Sequence, residues 1–321
     1  MKHLLSVAPM MDRTDRHFRY FIRQITRRSL LYTEMITTAA LRYGDRHKLL
    51  DFSPTEKPLA LQLGGDDPVL LAECALLGQD WGYDEINLNV GCPSPRVQSG
   101  NFGACLMTQP HLVADSIALM KKAVDIPITV KHRIGVDEQD SYQDLVNFVK
   151  IVSQAGADRF TCHARKAWLQ GLSPKENRTI PPLRYEDVHQ LKKDFSHLEI
   201  EINGGINNTK MIQSHLKKVD AVMIGRAAYE DPYLLLSRVD QEIYHENIES
   251  PSRHQVVRQM LPYVENWVSS GGKLHSVTRH LLELFAGCPG TKAWKRHITE
   301  QVKQKGVSAK ALEAALERVP Q

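Results

Sequence analysis

The sequence predicts an α/β fold: a (β/α)8 TIM barrel followed by a small all-helical C-terminal domain. Three observations carry this. Eight short apolar runs rich in β-branched residues recur at fairly regular intervals within about 230 residues. Stretches with apolar positions three and four apart lie between most of them. In the last quarter of the chain only the helical period remains. A chain of 321 residues accommodates one large α/β unit, expected over 1–243, and a modest second domain over 244–321.

The apolar runs fall at 4–9, 30–35, 59–64, 85–90, 127–131, 159–163, 199–203 and 221–225. Helices are expected between them, for example over 68–77, 112–124 and 142–155. Asp67-Pro68 and Gln109-Pro110 place proline at a helix start, and Gly78 and Gly156 follow helix ends. C-terminal helices are expected over 254–269, 274–285, 291–304 and 308–318. A doubly wound sheet would give the same alternation. However, no strand is followed by Gly-x-Gly-x-x-Gly, and Gly-x-x-x-x-Gly-Lys-Ser/Thr does not occur.

Apolar residues at 42% and charged residues at 24% argue against wholesale disorder. No apolar run approaches the roughly 20 residues of a membrane span. The start, Met1-Lys2-His3-Leu4-Leu5, lacks the apolar stretch of a secretory signal. Five scattered cysteines (Cys74, Cys92, Cys105, Cys162, Cys288) contain no Cys-x-x-Cys, which disfavours both a disulfide framework and a structural zinc site. No His and carboxylate set has metal-ligand spacing, so no metal is expected. A reducing cytoplasm is the expected compartment. The net charge of +4 is unevenly spread: residues 245–321 hold 11 Lys and Arg against 7 Asp and Glu, which accounts for the whole excess. A basic module on a neutral body suggests a polyanionic partner.

In a barrel of this kind the active site lies at the C-terminal strand ends. Those ends carry Pro9-Met10-Met11, Glu34-Met35, Gln62, Asn89 with Cys92, Lys131-His132-Arg133, His163, Asn203-Gly204-Gly205 and Gly225-Arg226. The last two suit a phosphate. Consecutive glycines let backbone N–H groups approach an anion, and Arg226 supplies a guanidinium fork. Cys92 lies between Gly91 and Pro93, at a chain reversal before the long glycine-containing loop 94–108. Lys131 is open to two readings, a Schiff-base lysine or a donor to a bound cofactor. His163 is a general acid, a phosphate donor or a satisfied core histidine.

Together these motifs resemble the tRNA-dihydrouridine synthases. The anchors are Ala8-Pro9-Met10-Met11-Asp12, Gln62-Leu63-Gly64-Gly65, Asn87-Leu88-Asn89-Val90-Gly91-Cys92-Pro93, Lys131-His132-Arg133-Ile134-Gly135, His163-Ala164-Arg165, Asn203-Gly204-Gly205-Ile206 and Met223-Ile224-Gly225-Arg226. The stretch 163–178 and Arg16-His17-Phe18-Arg19-Tyr20-Phe21 are similar to the A subfamily, which acts on D-loop uridines 20 and 20a. Arg13 departs from the pattern, standing where that subfamily often has tryptophan.

The resemblance implies a flavoprotein oxidoreductase with FMN across the barrel mouth and NADPH as a transient reductant. It places Pro9, Met10 and Met11 under the flavin ring, and Gln62 and Lys131 at its polar edge. His163, Asn203, Gly204, Gly205, Gly225 and Arg226 would hold the phosphate end. Asn89 would meet the uracil, and Cys92 would be the proton donor. A thiol is mostly protonated at neutral pH and can act as an acid. A uridine inside folded tRNA must leave its stack to be reached, which calls for a broad basic surface. Arg133, Lys175 and Arg178 are expected to contact tRNA, as are Lys292, Lys295 and Arg296, which face no acid nearby in sequence except Glu300. Lys166 and Trp168 add a cation beside an aromatic. A monomer with no obligate protein partner is expected. The competing readings are an FMN barrel acting on a free pyrimidine, and a tRNA-binding folding aid with secondary catalysis.

Overall fold

A computed structural model describes residues 3–301 and 308–320. Eight parallel strands close into a barrel: β1 (Leu5–Val7), β2 (Leu30–Tyr32), β3 (Leu59–Gly64), β4 (Glu85–Val90), β5 (Ile128–Arg133), β6 (Arg159–His163), β7 (Glu199–Asn203) and β8 (Ala221–Ile224). Each pairs with the next in chain order, and Leu5 opposite Val222 joins β1 to β8. The expected barrel is therefore present.

The second expected strand, 30–35, is interrupted. The chain leaves the ladder after Tyr32, and Ile36–Thr37 rejoins it opposite Leu63 and Gly64 of β3. Thr33 spans the gap: its N–H donates to the Ala60 carbonyl, and its hydroxyl accepts from the Gln62 N–H, both at 3.0 Å. The excursion carries Glu34 and Met35 onto the mouth of the barrel. The helix after β3 also differs from expectation. It runs over Pro68–Trp81, with Gly78 inside it rather than after it. A Cβ at Gly78 would lie 2.5 Å from Ile86 and 2.8 Å from Leu61, so glycine permits the helix to approach the sheet.

Strand alternation separates two environments. Ile86, Leu88 and Val90 of β4, like Ile200 and Ile202 of β7, are fully buried in the core shared with the outer helices. The intervening residues point into the barrel and are polar. At its closed end Arg159 donates to both oxygens of Glu85 at 2.6 Å and to the Tyr32 hydroxyl at 2.9 Å. Its Nε lies 3.8 Å from Glu201, which also accepts from Ser6 at 2.6 Å. Burial alone would raise the Glu201 carboxyl, but His3 and the Arg159 charge outweigh it and hold the group at about 2.

Beyond β8 three short helices lead into Arg253–Ser269, Leu274–Thr278, Thr291–Gln301 and Lys310–Leu316. The expected helix 274–285 is regular only over Leu274–Thr278; beyond it the His280 and Leu281 N–H groups bond three residues back, and the Arg279 and His280 side chains reach Asp15 at 2.6 and 3.0 Å. Asp15 also caps the barrel helix Arg16–Arg23, accepting from His17 and Phe18 N–H. On that helix Tyr20 stacks on Tyr263 at 3.9 Å, and His17 meets the Tyr263 hydroxyl at 2.7 Å. Residues 302–304 of the expected third C-terminal helix lie outside the described residues.

Glu201→Gln should cost about 3 kcal/mol at pH 7, because it leaves Arg159 with a weaker set of partners. The Glu201 carboxyl is depressed from 4.5 to about 2 in the folded state, so its contribution is complete above pH 4.5 and fades as pH falls toward 2. Urea unfolding of both proteins across that range should show the two stabilities converging at the acid end.

Candidate active site

The strand ends open onto a cavity of about 1360 Å³. Pro9, Met10, Met11, Gln62, Asn89, Cys92, Lys131, Arg133, Arg178, His163, Asn203, Gly204, Gly205, Gly225 and Arg226 all line it. Met10 is half-buried against the core, whereas Met11 is 56% exposed. Lys175, Lys292, Lys295 and Arg296 do not line the cavity.

Cys92 is held by its backbone. Its N–H and that of Gly91 donate to the Asn89 side-chain oxygen at 3.0 and 3.1 Å, and its carbonyl accepts from the Ala104 N–H at 2.9 Å. The far side of the loop 94–108 thus folds back onto the cysteine. Among the described residues the half-buried thiol has no hydrogen-bond partner, so it is free to act on something in the cavity. Asn89 donates to Gln62 at 2.8 Å, and Gln62 donates to Asn87 at 2.8 Å. Gln62 and Asn89 therefore fix each other as well as facing the cavity.

One end of the cavity is cationic. Burial and the Arg133 guanidinium pull the Lys131 ammonium down to about 8, and among the described residues it donates only to the Asn203 side-chain oxygen, at 3.2 Å. Burial, then Arg133, Lys131, Arg165 and Arg226 together, hold the His163 imidazole well below its usual range, so the ring is neutral at pH 7. Among the described residues the ring has no hydrogen-bond partner. It lies against Gly204, where a Cβ would come within 2.8 Å of it. Gly204 and Gly205 have φ of +122° and +68°, and Tyr185, which the sequence reading missed, anchors them by donating to the Gly204 carbonyl at 2.6 Å. Only the start of a helix marks Tyr185 in sequence. A neutral donor ring, an ammonium and Arg226 converging on open glycine backbone form a site for an anion.

Arg133 is placed differently from a surface contact. It is 3% exposed, and it donates to the carbonyls of Gly91, Lys166 and Asn177 at 3.0, 2.9 and 2.9 Å. It braces the cysteine turn against the loop after β6, and its charge reaches the cavity. In that loop Lys166 caps the Trp168 ring at 3.8 Å and pairs with Asp140 at 3.2 Å, so neither is presented freely. Lys175 and Arg178 are exposed, and the Arg178 carbonyl accepts from Arg226 at 3.3 Å. Arg13 packs over the Tyr229 ring at 4.3 Å, and its N–H donates to Glu34 at 3.2 Å. On the C-terminal helices Lys292 and Arg296 are exposed. Lys295 does have an acid, contrary to the reading from local sequence: Glu283, twelve residues earlier, lies 2.7 Å away.

Comparison with known proteins agrees with this geometry. The family described as Dihydrouridine synthase (Dus) matches residues 6–320. The chain is 66% identical over 313 residues to the tRNA-dihydrouridine(20/20a) synthase of Synechocystis sp., covering 98% of this chain and 93% of that one. It is 56% identical to the protein of that name from Vibrio parahaemolyticus, covering 98% and 97%, and 53% identical to that of Escherichia coli (strain K12), covering 98% and 91%. Among solved structures, a 2-naphthoyl-CoA reductase in complex with 2-naphthoyl-CoA superposes with a TM-score of 0.57 at 12% identity. That match covers 74% of this chain and 50% of the other and bears on the fold alone. A sequence match from the first barrel strand to the last described helix, over a cavity with this cysteine and these strand ends, places the chain in the dihydrouridine synthase family.

Proposed function

We propose that this protein reduces uridine to 5,6-dihydrouridine at positions 20 and 20a of the tRNA D-loop, using FMN and NADPH. The observation that carries the reading is a Cys92 thiol, unpartnered among the described residues, facing the same cavity as an anion-binding end and a half-buried lysine. The positions come from the printed names of relatives up to 66% identical. The residues present fit FMN. The unpartnered His163 ring, Arg226 and the Gly204-Gly205 backbone suit its phosphate, with Asn203 and Gly225 beside them. Pro9, Met10 and Met11 give a face for the ring, and Gln62 and Lys131 give donors for its polar edge. When bound, FMN supplies the hydride for uracil C6, and NADPH supplies the electrons for each turnover.

The chain's own residues do the rest. Cys92 Sγ donates the proton to C5 of the uracil, and the turn fixed by Asn89, Arg133 and Ala104 keeps that thiol in place. Lys131 would offer a positive charge to the polar edge of a bound flavin, and the low-dielectric surroundings would strengthen its effect. Asn89 lies on the wall nearest the cysteine, where it can meet the flipped base. Arg178 at the cavity wall, the exposed Lys175 in the same loop, and Lys292 and Arg296 on the C-terminal helices would hold tRNA phosphates. Segments 1–243 and 244–321 then divide the work between chemistry and tRNA binding. We place the protein in the cytoplasm as a monomer. No helix among the described residues is long and apolar enough to cross a membrane.

Cys92→Ala should keep bound FMN and tRNA affinity but slow uridine reduction by about 10²–10⁴-fold, as loss of a general acid does. Single-turnover oxidation of the reduced holoenzyme by unmodified tRNA reads this directly, and full speed in the variant would remove the acid assignment. Free uridine should not replace tRNA in the same assay; equal turnover on the nucleoside would favour a free-pyrimidine reductase.

Charge reversal at Lys292 and Arg296 should weaken tRNA binding and lower the slope of log K against log salt by roughly 1 per lost phosphate contact. Binding titrations at several salt concentrations measure it. An unchanged slope would take this helix out of the interface.

A further inference from the structure

We infer that Thr129, in the middle of the barrel, is a positioning residue for Cys92 and acts through a hydrogen-bond relay of fixed direction. The inference rests on the function proposed above for its meaning, though not for its geometry. The relay begins at the closed end of the barrel. Glu85 is clasped by Arg159 at 2.6 Å through both oxygens, which makes it a carboxylate that only accepts. The Thr129 hydroxyl, 2.6 Å from Glu85, must therefore donate to it. A hydroxyl that has given its one proton can only accept from its next neighbour, so Asn87, at 2.9 Å, presents its NH₂ to Thr129. That turns the Asn87 oxygen toward Gln62, which presents its NH₂ at 2.8 Å. The Gln62 oxygen then faces Asn89, which donates at 2.8 Å.

The consequence appears at the last member. With its NH₂ directed to Gln62, Asn89 has only its oxygen to offer the cysteine turn, and that oxygen accepts from both Gly91 and Cys92 N–H. Were the amide reversed, NH₂ would face two N–H donors and the turn would lose both bonds. Four side-chain orientations are thus set by one acceptor at the far end of the barrel. Glu85, Asn87 and Thr129 are 4%, 0% and 0% exposed and Gln62 is 1% exposed, so water has little opportunity to reverse the order. Asn87 and Thr129 do not line the cavity, so neither is in position to touch a substrate there.

Thr129→Val keeps the shape of the side chain and removes both functions of the hydroxyl, and Thr129→Ser restores them. Two readouts on the holoenzyme test the relay. The first is the rate at which iodoacetamide alkylates Cys92, followed on its peptide by mass spectrometry. The second is single-turnover uridine reduction on tRNA. Thr129→Val should speed alkylation by about threefold or more and slow uridine reduction by about tenfold, with Thr129→Ser near wild type in both. Wild-type rates in Thr129→Val, or no recovery in Thr129→Ser, would overturn the relay. Thermal melts identify any variant that fails to fold, in which case Asn87→Ala, with one fewer link to the cysteine turn, takes the same two readouts and the same criteria. Alkylation needs no tRNA. Failure of the relay is therefore visible even if the wild-type protein reduced no uridine, and that second failure would be seen in the wild-type control.

Discussion

One buried guanidinium governs the inside of this barrel. Arg159 stands at the closed end between Glu85 and Glu201, and removing it would leave two carboxylates without their shared cation in a low dielectric. TIM barrels are usually filled by layers of branched apolar side chains. Here the inward positions of β4 to β7 are polar up to the mouth, and the deeper ones (Glu85, Asn87, Thr129, Arg159, Thr161 and Glu201) find their partners within the barrel. The result is a rigid interior in which side chains at the cofactor end are oriented by neighbours rather than by solvent. The apolar side of each strand is left to hold the helices, and closure pairs each of the eight barrel strands on both sides.

The second organising contact is Asp15. It caps the helix Arg16–Arg23 and receives Arg279 and His280 from the C-terminal helices, so one carboxylate joins the mouth of the barrel to the helical segment. Burial would raise this carboxyl, but His280 and Arg279 more than reverse that and hold it well below the carboxylate range. The exposed cations of that segment and those of the mouth belong to one continuous body. This is the arrangement that a large polyanion with one base in the cavity requires.

Much of this was legible in the sequence, for a definable reason. Strand ends are short, locally determined and marked by unusual residues, so Gln62, Asn89, Cys92, Lys131, His163 and the glycine pairs could be placed on one mouth from order alone. The features that escaped depend on distance in the chain. The break after Tyr32 depends on Thr33 reaching β3, and Gly78 sits within its helix because Ile86 and Leu61 leave no room for a side chain. Arg133 reads as a surface cation until its carbonyl partners, from the cysteine turn and from the loop after β6, come together. Lys295 looked free because its acid is twelve positions away and outside one helix turn. The alternation in Glu85–Val90 was visible, but which face would be inside depended on Arg159 from another strand.

The most direct test is to map dihydrouridine along an unmodified D-loop-containing tRNA after incubation with the FMN-loaded protein and NADPH. The account predicts the modified base at positions 20 and 20a. Dihydrouridine elsewhere in the tRNA but not at these positions would contradict the assignment of site, and a tRNA left unmodified while the flavin turns over on free pyrimidine would contradict the substrate itself.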